Sequence, residues 1–351
     1  MTGFGNLVMK AFSDSHTSAS EAGLATLLKA EKIKEILAWT GFSDFITFEQ
    51  TLLTLLNSHG PSEVKAFQAV HGQRQNAWVI EFKCGALEML HLYPPEMNQA
   101  QLMAILQIQK IVHAQKYPCP LPLSPPLQLG KTLISLEQFL HGERSLSAHH
   151  EQDIRMMAFS LAQLHQATCS FRFLPHLPAN QLSFNSKEFS KSTLKPFPPD
   201  CEWLLSLTHP LRRRLKQKVG REVLSPSEWY PEDFCFQHAK ICGVFGWKTL
   251  SRESELWVVS QSVTHFTHAK YASHKAPPNP VEIKRFVAAF EEARGVPFDT
   301  KERRYLEASI TWCMARTALK EQLEDPKALN WKGSYREALT QQKSPYFLSL
   351  L

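Results

Sequence analysis

The order of periodicities along the chain predicts an α+β protein, with a small antiparallel sheet first and a mainly helical half after it. Three observations carry this. Apolar and β-prone runs at 64–67, 77–82 and 88–93 are separated by Gly72 and by Cys84-Gly85, as short strands of a meander require. A helix-length run at 98–115 and one more strand-like run at 132–139 follow. Beyond Gly142, apolar residues recur mostly at helical spacing.

Taken in order, residues 21–40 predict a helix, with Leu24, Leu27, Leu28, Ile33, Ile36 and Leu37 near helical spacing. A second helix, 48–57, stops at His59-Gly60-Pro61. Pro94-Pro95 ends the third strand. Five prolines between Pro118 and Pro126 enforce an extended crossing before the 132–139 strand. Helices are then predicted at 151–167, 201–207, 210–219, 281–294 and 301–323, with buried strands at 234–237 and 256–259. The Pro-, Ser-, Phe- and Asn-rich stretch 170–199 reads as an irregular insertion. No repeat is visible. The implied division is a helical extension over 1–60, a sheet lobe with one helix over 61–140, and a helical lobe over 141–343.

Bulk properties agree with this organisation. A length of 351 residues suits two packed lobes, and 22 Phe with 8 Trp supply core bulk. The net charge of +6 is modest and argues against a nucleic-acid binder. Seven scattered cysteines lack Cys-x-x-Cys spacing, which argues against a disulfide framework or a zinc site. A reducing cytoplasmic setting is expected. The N-terminal residues make a poor signal peptide, and no stretch approaches the roughly 20 apolar residues of a membrane span. The expected partner is therefore a small molecule or a protein, and not a membrane.

Several segments then resemble, in order, the aminoglycoside phosphotransferase and choline kinase-like family. Gly72-Gln73-Arg74-Gln75-Asn76-Ala77-Trp78 resembles its nucleotide-loop strand, and Leu90-His91-Leu92-Tyr93-Pro94 the strand carrying its phosphate-binding cation. Tyr117-Pro118-Cys119-Pro120 resembles the proline pair after the first helix, and Leu136-Glu137-Gln138-Phe139-Leu140-His141-Gly142 the hinge. Leu161-Ala162-Gln163-Leu164-His165 resembles a helix ending in Leu-His, and 290–298 is similar to the C-terminal helix pair. The resemblance spans residues 64–323. It implies a bilobal protein-kinase-like fold, with a small antiparallel-sheet N-lobe and a mainly helical C-lobe. It also implies a nucleotide site near Asn76, His91, Glu137 and Phe139.

Phosphoryl transfer rests on positioning and charge neutralisation, and needs a cation, a metal held by oxygens and a carboxylate near the attacking hydroxyl. The resemblance implies a His-Gly-Asp loop, a metal-binding Asn five residues later and a second Asp after the next strand. The segment aligned with it is Gln237–Trp247, within a degenerate loop region at 236–262. His238 matches, but Lys240 stands at the Asp, Phe245 at the Asn and Ser260 at the second Asp. From Phe234 to Val281 the only acids are Glu253 and Glu255, assigned to a turn between strands, and none occurs from Met97 to Leu136. Mg²⁺ takes hard oxygen ligands in near-octahedral geometry. His91 replaces a permanent cation with an imidazole. The reading is a catalytically inactive binding or regulatory module with no resident cofactor. Two alternatives stand beside it. One is an active kinase using ATP and Mg²⁺ with a metal site rearranged onto Asp233 or Glu232. The other is a metal-independent nucleotide or anion binder using Lys240, with Lys248 and Arg252 adding positive charge.

Other residues have a plainer reading beside the functional one. His265, His268 and His274 could form a zinc site but lack a further ligand pattern. Lys83 could replace the missing cation but sits beside a turn. The basic run 212–218 reads as a solvated helix face. Cys235 and Cys242 read as small buried hydrophobes.

Overall fold

A computed structural model of the chain describes residues 24–69, 76–142, 146–148, 150–171, 175–179, 201–217, 219–226, 229–238, 240–267, 278–326 and 331–341. The chain divides into two compact units. One is Met1–Ser145 with Cys235–Lys248, and the other is Leu146–Phe234 with Thr249–Leu351. Segment 236–262 is thus shared between the two.

The first unit is built on a five-stranded antiparallel sheet of order β1-β2-β3-β5-β4. Its strands are β1 (Val64–Ala69), β2 (Ala77–Phe82), β3 (Leu87–Leu92), β4 (Leu127–Leu129) and β5 (Thr132–Gln138). Strand side chains alternate between faces, and the two faces have different partners. Phe67, Trp78, Ile80, Phe82, Leu90, Leu92, Ile134 and Leu136 share one core with Ile36, Phe48, Leu52 and Leu56. The last four come from helices α1 (Ala30–Thr40) and α2 (Phe45–His59). Asp44 caps α2 by accepting the Thr47 N–H at 2.8 Å. After α2 the chain passes so close to the sheet that a Cβ on Gly60 would lie 2.3 Å from the Phe82 ring. On the opposite face Tyr93 and Leu133 pack with Leu102 and Leu106 of α3 (Gln99–Ala114), which Asn98 caps.

A short hairpin belongs to this unit as well. Strand β7 (Phe234–Gln237) pairs with β8 (Lys240–Val244). His238, between them, adopts φ 47°.

The second unit is mainly helical: α4 (Glu151–Ala167), α5 (Glu202–Leu215), α6 (Glu255–Phe266), α7 (Pro280–Arg294), α8 (Thr300–Glu324) and α9 (Tyr335–Thr340). Helix α4 packs on α7, and α8 on α5, α6 and α9. A two-stranded sheet of β6 (Glu222–Pro226) and β9 (Leu250–Ser254) adjoins them. Asp299 and Glu302 form a reciprocal cap at the start of α8.

Two sequence expectations are corrected here. Residues 256–259 are not a strand but the first turn of α6. Nearly every residue of α6 is buried, polar ones included, so its apolar run shows no helical stripe. The predicted break at Pro210 is also absent, because α5 runs through it. Proline removes one backbone bond, yet the buried stripe Leu204, Thr208, Leu211 and Leu215 holds the helix together. Strands β4, β6, β8 and β9 and helix α9 are additions. Most of the 170–199 insertion lies outside the described residues.

Candidate functional site

In the first unit, the sheet face that carries Tyr93 and Leu133 also carries His91, Ser135 and Glu137, while Asn76 precedes β2 opposite Leu92. Antiparallel registry sets His91 opposite Ala77 on one side and Ser135 on the other, with Glu137 opposite Met89. His91 Nε2 and Glu137 Oε2 lie 3.4 Å apart. That approach allows charge attraction, but its geometry leaves Nε2 without a hydrogen bond. Glu137 is 3% exposed and lies within β5, so the segment that resembles the hinge begins inside the strand. Tyr93 hydroxyl and Ser135 Oγ are 3.0 Å apart. Burial, reinforced by the charge of Glu137, pushes the Tyr93 phenol up, and likewise raises the Cys119 thiol to about 12. Asn76 Oδ1 is buried and has no partner in this arrangement. Phe139 sits just past β5, edge-on to His141 at 4.5 Å between ring centres.

The β7–β8 hairpin carries three of the expected loop positions. His238 is exposed at the turn, and Lys240 is exposed at the start of β8. Phe245 and Trp247 follow β8, and both are buried. Trp247 Nε1 donates to Val244 O at 2.8 Å, and its ring meets Tyr117 edge-on at 6.3 Å. Gly246 between them adopts φ 87°, a conformation that favours glycine. Of the proposed cationic companions, Lys248 belongs to this unit. Arg252 belongs to the other, where it faces Glu222 across β6–β9 at 3.8 Å. Lys83 is paired with Glu63 at an exposed turn.

Ser260 lies in the second unit, in the middle of α6, fully buried. Its Oγ donates to Leu256 O at 2.6 Å and hydrogen-bonds Ser309 Oγ of α8. It is a helix-packing hydroxyl and does not follow a strand. Asp233 is also in this unit, at the end of a short 3₁₀ turn, Pro231–Asp233, where Oδ2 accepts the Tyr230 N–H at 3.1 Å. His265 packs its ring on Tyr230 at 4.5 Å. His268 and His274 lie outside the described residues. Arg214, from the basic run, donates to Arg304 O at 3.3 Å. Among the described residues no group of three or more His, Cys, Asp or Glu side chains could hold a metal ion.

Sequence reasoning missed the strongest charge cluster. Glu255 is completely buried at the first turn of α6, and Glu253 is buried in β9, where Ser251 Oγ donates to it at 2.8 Å. Arg221 grips Glu255 Oε1 through Nε at 2.9 Å and Nη2 at 2.6 Å. Arg294 Nε lies 3.0 Å from Oε2, and His165 Nδ1 3.5 Å from Oε1. Arg294 also reaches Glu302 Oε1 at 3.0 Å. Burial alone would raise the Glu255 carboxyl, but His165 and Arg221 outweigh it and hold it at about 2. Burial lowers the His165 imidazole, with Glu255 opposing. The signal was present in part, since His165 closes the Leu-His helix and 290–298 contains Arg294.

The sheet unit, the β7–β8 and β6–β9 pairs and the helical unit together define an α+β kinase-like fold, the fold of small-molecule phosphotransferases. Solved structures bear this out. An amicoumacin kinase, hAmiN, in complex with AMP-PNP, Ca²⁺ and Ami superposes with a TM-score of 0.57 at 12% identity, covering 87% of this chain and 99% of that one. The choline kinase LicA from Streptococcus pneumoniae gives 0.54 at 11% identity, covering 84% and 98%. A spectinomycin phosphotransferase in complex with ADP and spectinomycin gives 0.53 at 13%, covering 85% and 95%. No family model and no curated protein matches the sequence. Among the described residues no helix is long and apolar enough to cross a membrane.

Proposed function

We propose that this chain is a non-phosphorylating binding or regulatory protein built on a small-molecule phosphotransferase fold. The observation that carries the reading is the end of β8. There Phe245-Gly246-Trp247 offers two buried rings and a glycine, with no oxygen-bearing side chain. A Mg²⁺ ion needs hard oxygen ligands, and these residues do not fit one.

The topology also favours a different register for the loop that the family resemblance implies. Two residues separate β7 from β8, too few for a His-Gly-Asp triplet with an Asn five residues on. The connection from β6 to β7, residues 227–233, has the length. In that register Ser225-Pro226-Ser227 takes the place of the triplet, Glu232 and Asp233 fall near the Asn, and Gly246 follows the hairpin. Positions 227 and 246 then still lack a carboxylate. His238, Lys240 and Ser260 leave the site altogether.

The test is thermal unfolding with ATP, with and without MgCl₂, alongside an assay for ADP formation over a panel of hydroxylated and amino compounds. The expected result is no magnesium-dependent rise in Tm and no turnover. Magnesium-dependent stabilisation accompanied by phosphate on an acceptor would overturn the proposal. One observation favours a second reading, an active kinase with a rearranged site. The relocated loop ends in a carboxylate, Asp233, which the first register had left outside. Under that reading Asp233→Asn abolishes turnover while Lys240→Ala leaves it intact.

A further inference from the structure

The β7–β8 hairpin places two thiols against each other. Cys235 lies two residues before the end of β7, and Cys242 two residues after the start of β8, so hairpin pairing sets them across from one another. They lie close enough for each to influence the other's protonation. Each also reaches the segment that follows β5. Cys235 Sγ donates to Leu140 O at 3.7 Å, and Cys242 Sγ to His141 O at 3.3 Å. Glycines leave room around the pair. A Cβ on Gly142 would lie 2.6 Å from Cys235 Sγ, and one on Gly243 would lie 3.2 Å from Cys235 Cβ.

From this geometry we infer that Cys235 and Cys242 form an oxidisable dithiol, a site of reversible disulfide formation by hydrogen peroxide. Opposed residues of an antiparallel pair hold their Cβ atoms about 4.5–5.5 Å apart, against about 3.5–4.5 Å across a disulfide, so a small closure suffices. Access assigns the order of events. Cys242 is part-exposed and Cys235 is buried. Burial also raises the Cys235 thiol, which suits it to the second step rather than the first. The Cys242 thiolate attacks one peroxide oxygen, the O–O bond breaks, and hydroxide leaves with a sulfenic acid on Cys242. The Cys235 sulfur then attacks the sulfenic sulfur and loses its proton, and water departs. The balance is two thiols and one peroxide giving one disulfide and two waters.

Bonding the sulfurs to each other removes both S–H donors. The carbonyls of Leu140 and His141, which end the run from β5, then lose the contacts that tie them to the hairpin. The site is thus both a modification point and a tether that oxidation releases.

The experiment treats the full, reduced chain with hydrogen peroxide at pH 7, blocks remaining thiols, and maps the products by intact mass and peptide sequencing. The expected result is a net loss of two hydrogens and a linked peptide pair joining Cys235 to Cys242, reversed by dithiothreitol. The exposed Cys84 and Cys169 are replaced by Ser in a control that should behave identically. Cys242→Ser should abolish the linked pair. Oxidation confined to other cysteines would overturn the inference, as would a Cys242 that proceeds to sulfinic acid without any link to Cys235. Mapping on the natural sequence decides the matter even where a cysteine variant fails to fold.

Discussion

Two buried carboxylates, one in each unit, have opposite company. Glu255 is surrounded by Arg221, Arg294 and His165, with contacts of 2.6 to 3.5 Å. Glu137 faces the imidazole of His91 at 3.4 Å, without a hydrogen bond. Both are nearly or fully inaccessible to water. A buried charge survives only when paired and hydrogen-bonded. Glu255 meets that condition at Oε1, which Arg221 binds twice, while Oε2 lies 3.0 Å from Arg294 Nε without a hydrogen bond; the cluster of three basic partners makes it a structural hub. Glu137 meets it weakly, on the sheet face that carries His91 and Ser135. Glu255 thus has three basic neighbours and two hydrogen bonds, whereas Glu137 has one neighbour and no hydrogen bond to it.

The comparison is broken most severely by removing the hub. Glu255→Ala removes the shared carboxylate of Arg221, Arg294 and His165, leaving the largely buried Arg294 with Glu302. Breaking a buried pair by deleting one member costs about 3–5 kcal/mol. Urea unfolding should show that loss with an unchanged slope. A loss under about 1 kcal/mol would mean that the network is as weakly coupled as an exposed ion pair.

Acid should expose the same hub in two stages. Burial depresses the His165 imidazole, so the unfolded chain takes up that proton first. Stability is then full above the ordinary value of 6.5 and declines as pH falls below it. Glu255 is depressed from 4.5 to about 2, so its contribution, roughly 3 kcal/mol, is present above 4.5 and lost as pH falls toward 2. His165→Gln should erase the upper stage and shrink the lower, which Arg221 then sustains without its imidazole companion. An unaltered profile between pH 7 and 5 in that variant would remove His165 from the account.

The two regions also differed in how far the sequence revealed them. Strands β1 to β3 were legible because their punctuation is local: Gly72, Cys84-Gly85 and Pro94-Pro95. The surroundings of Glu255 were not. Helix α6 buries nearly all its residues and so has no polar stripe, and its serines and threonines satisfy themselves by bonding back one turn. Thr264 Oγ1 donates to Ser260 O at 2.6 Å and Thr267 Oγ1 to Val263 O at 2.8 Å. In sequence that pattern looks like a strand followed by polar residues, which is why Ser260 was placed after a strand. Under the register proposed above, the Gln237-His238 pair is a hairpin turn and not a loop motif. A turn histidine between two apolar runs imitates a motif histidine, and only pairing topology separates a hairpin from a loop. Glu137 falls both in the predicted strand 132–139 and in the segment 136–142 that resembles a hinge, and it lies in β5, which runs to Gln138.

The comparison is sharpest in the isosteric pair Glu255→Gln and Glu137→Gln. Each keeps the side-chain shape and removes the charge. At position 255 the amide cannot satisfy two guanidinium groups, and its NH₂ confronts one of them, so the variant should lose several kcal/mol, on the scale of a broken buried pair. At position 137 the lost attraction to His91 is offset by relief from burying a charge that forms no hydrogen bond with it. The net change should stay within about 1 kcal/mol, the scale of a typical single hydrogen bond. Urea midpoints at pH 7 for both variants give the contrast directly. Equal losses at the two positions would show that Glu137 is held as firmly as Glu255.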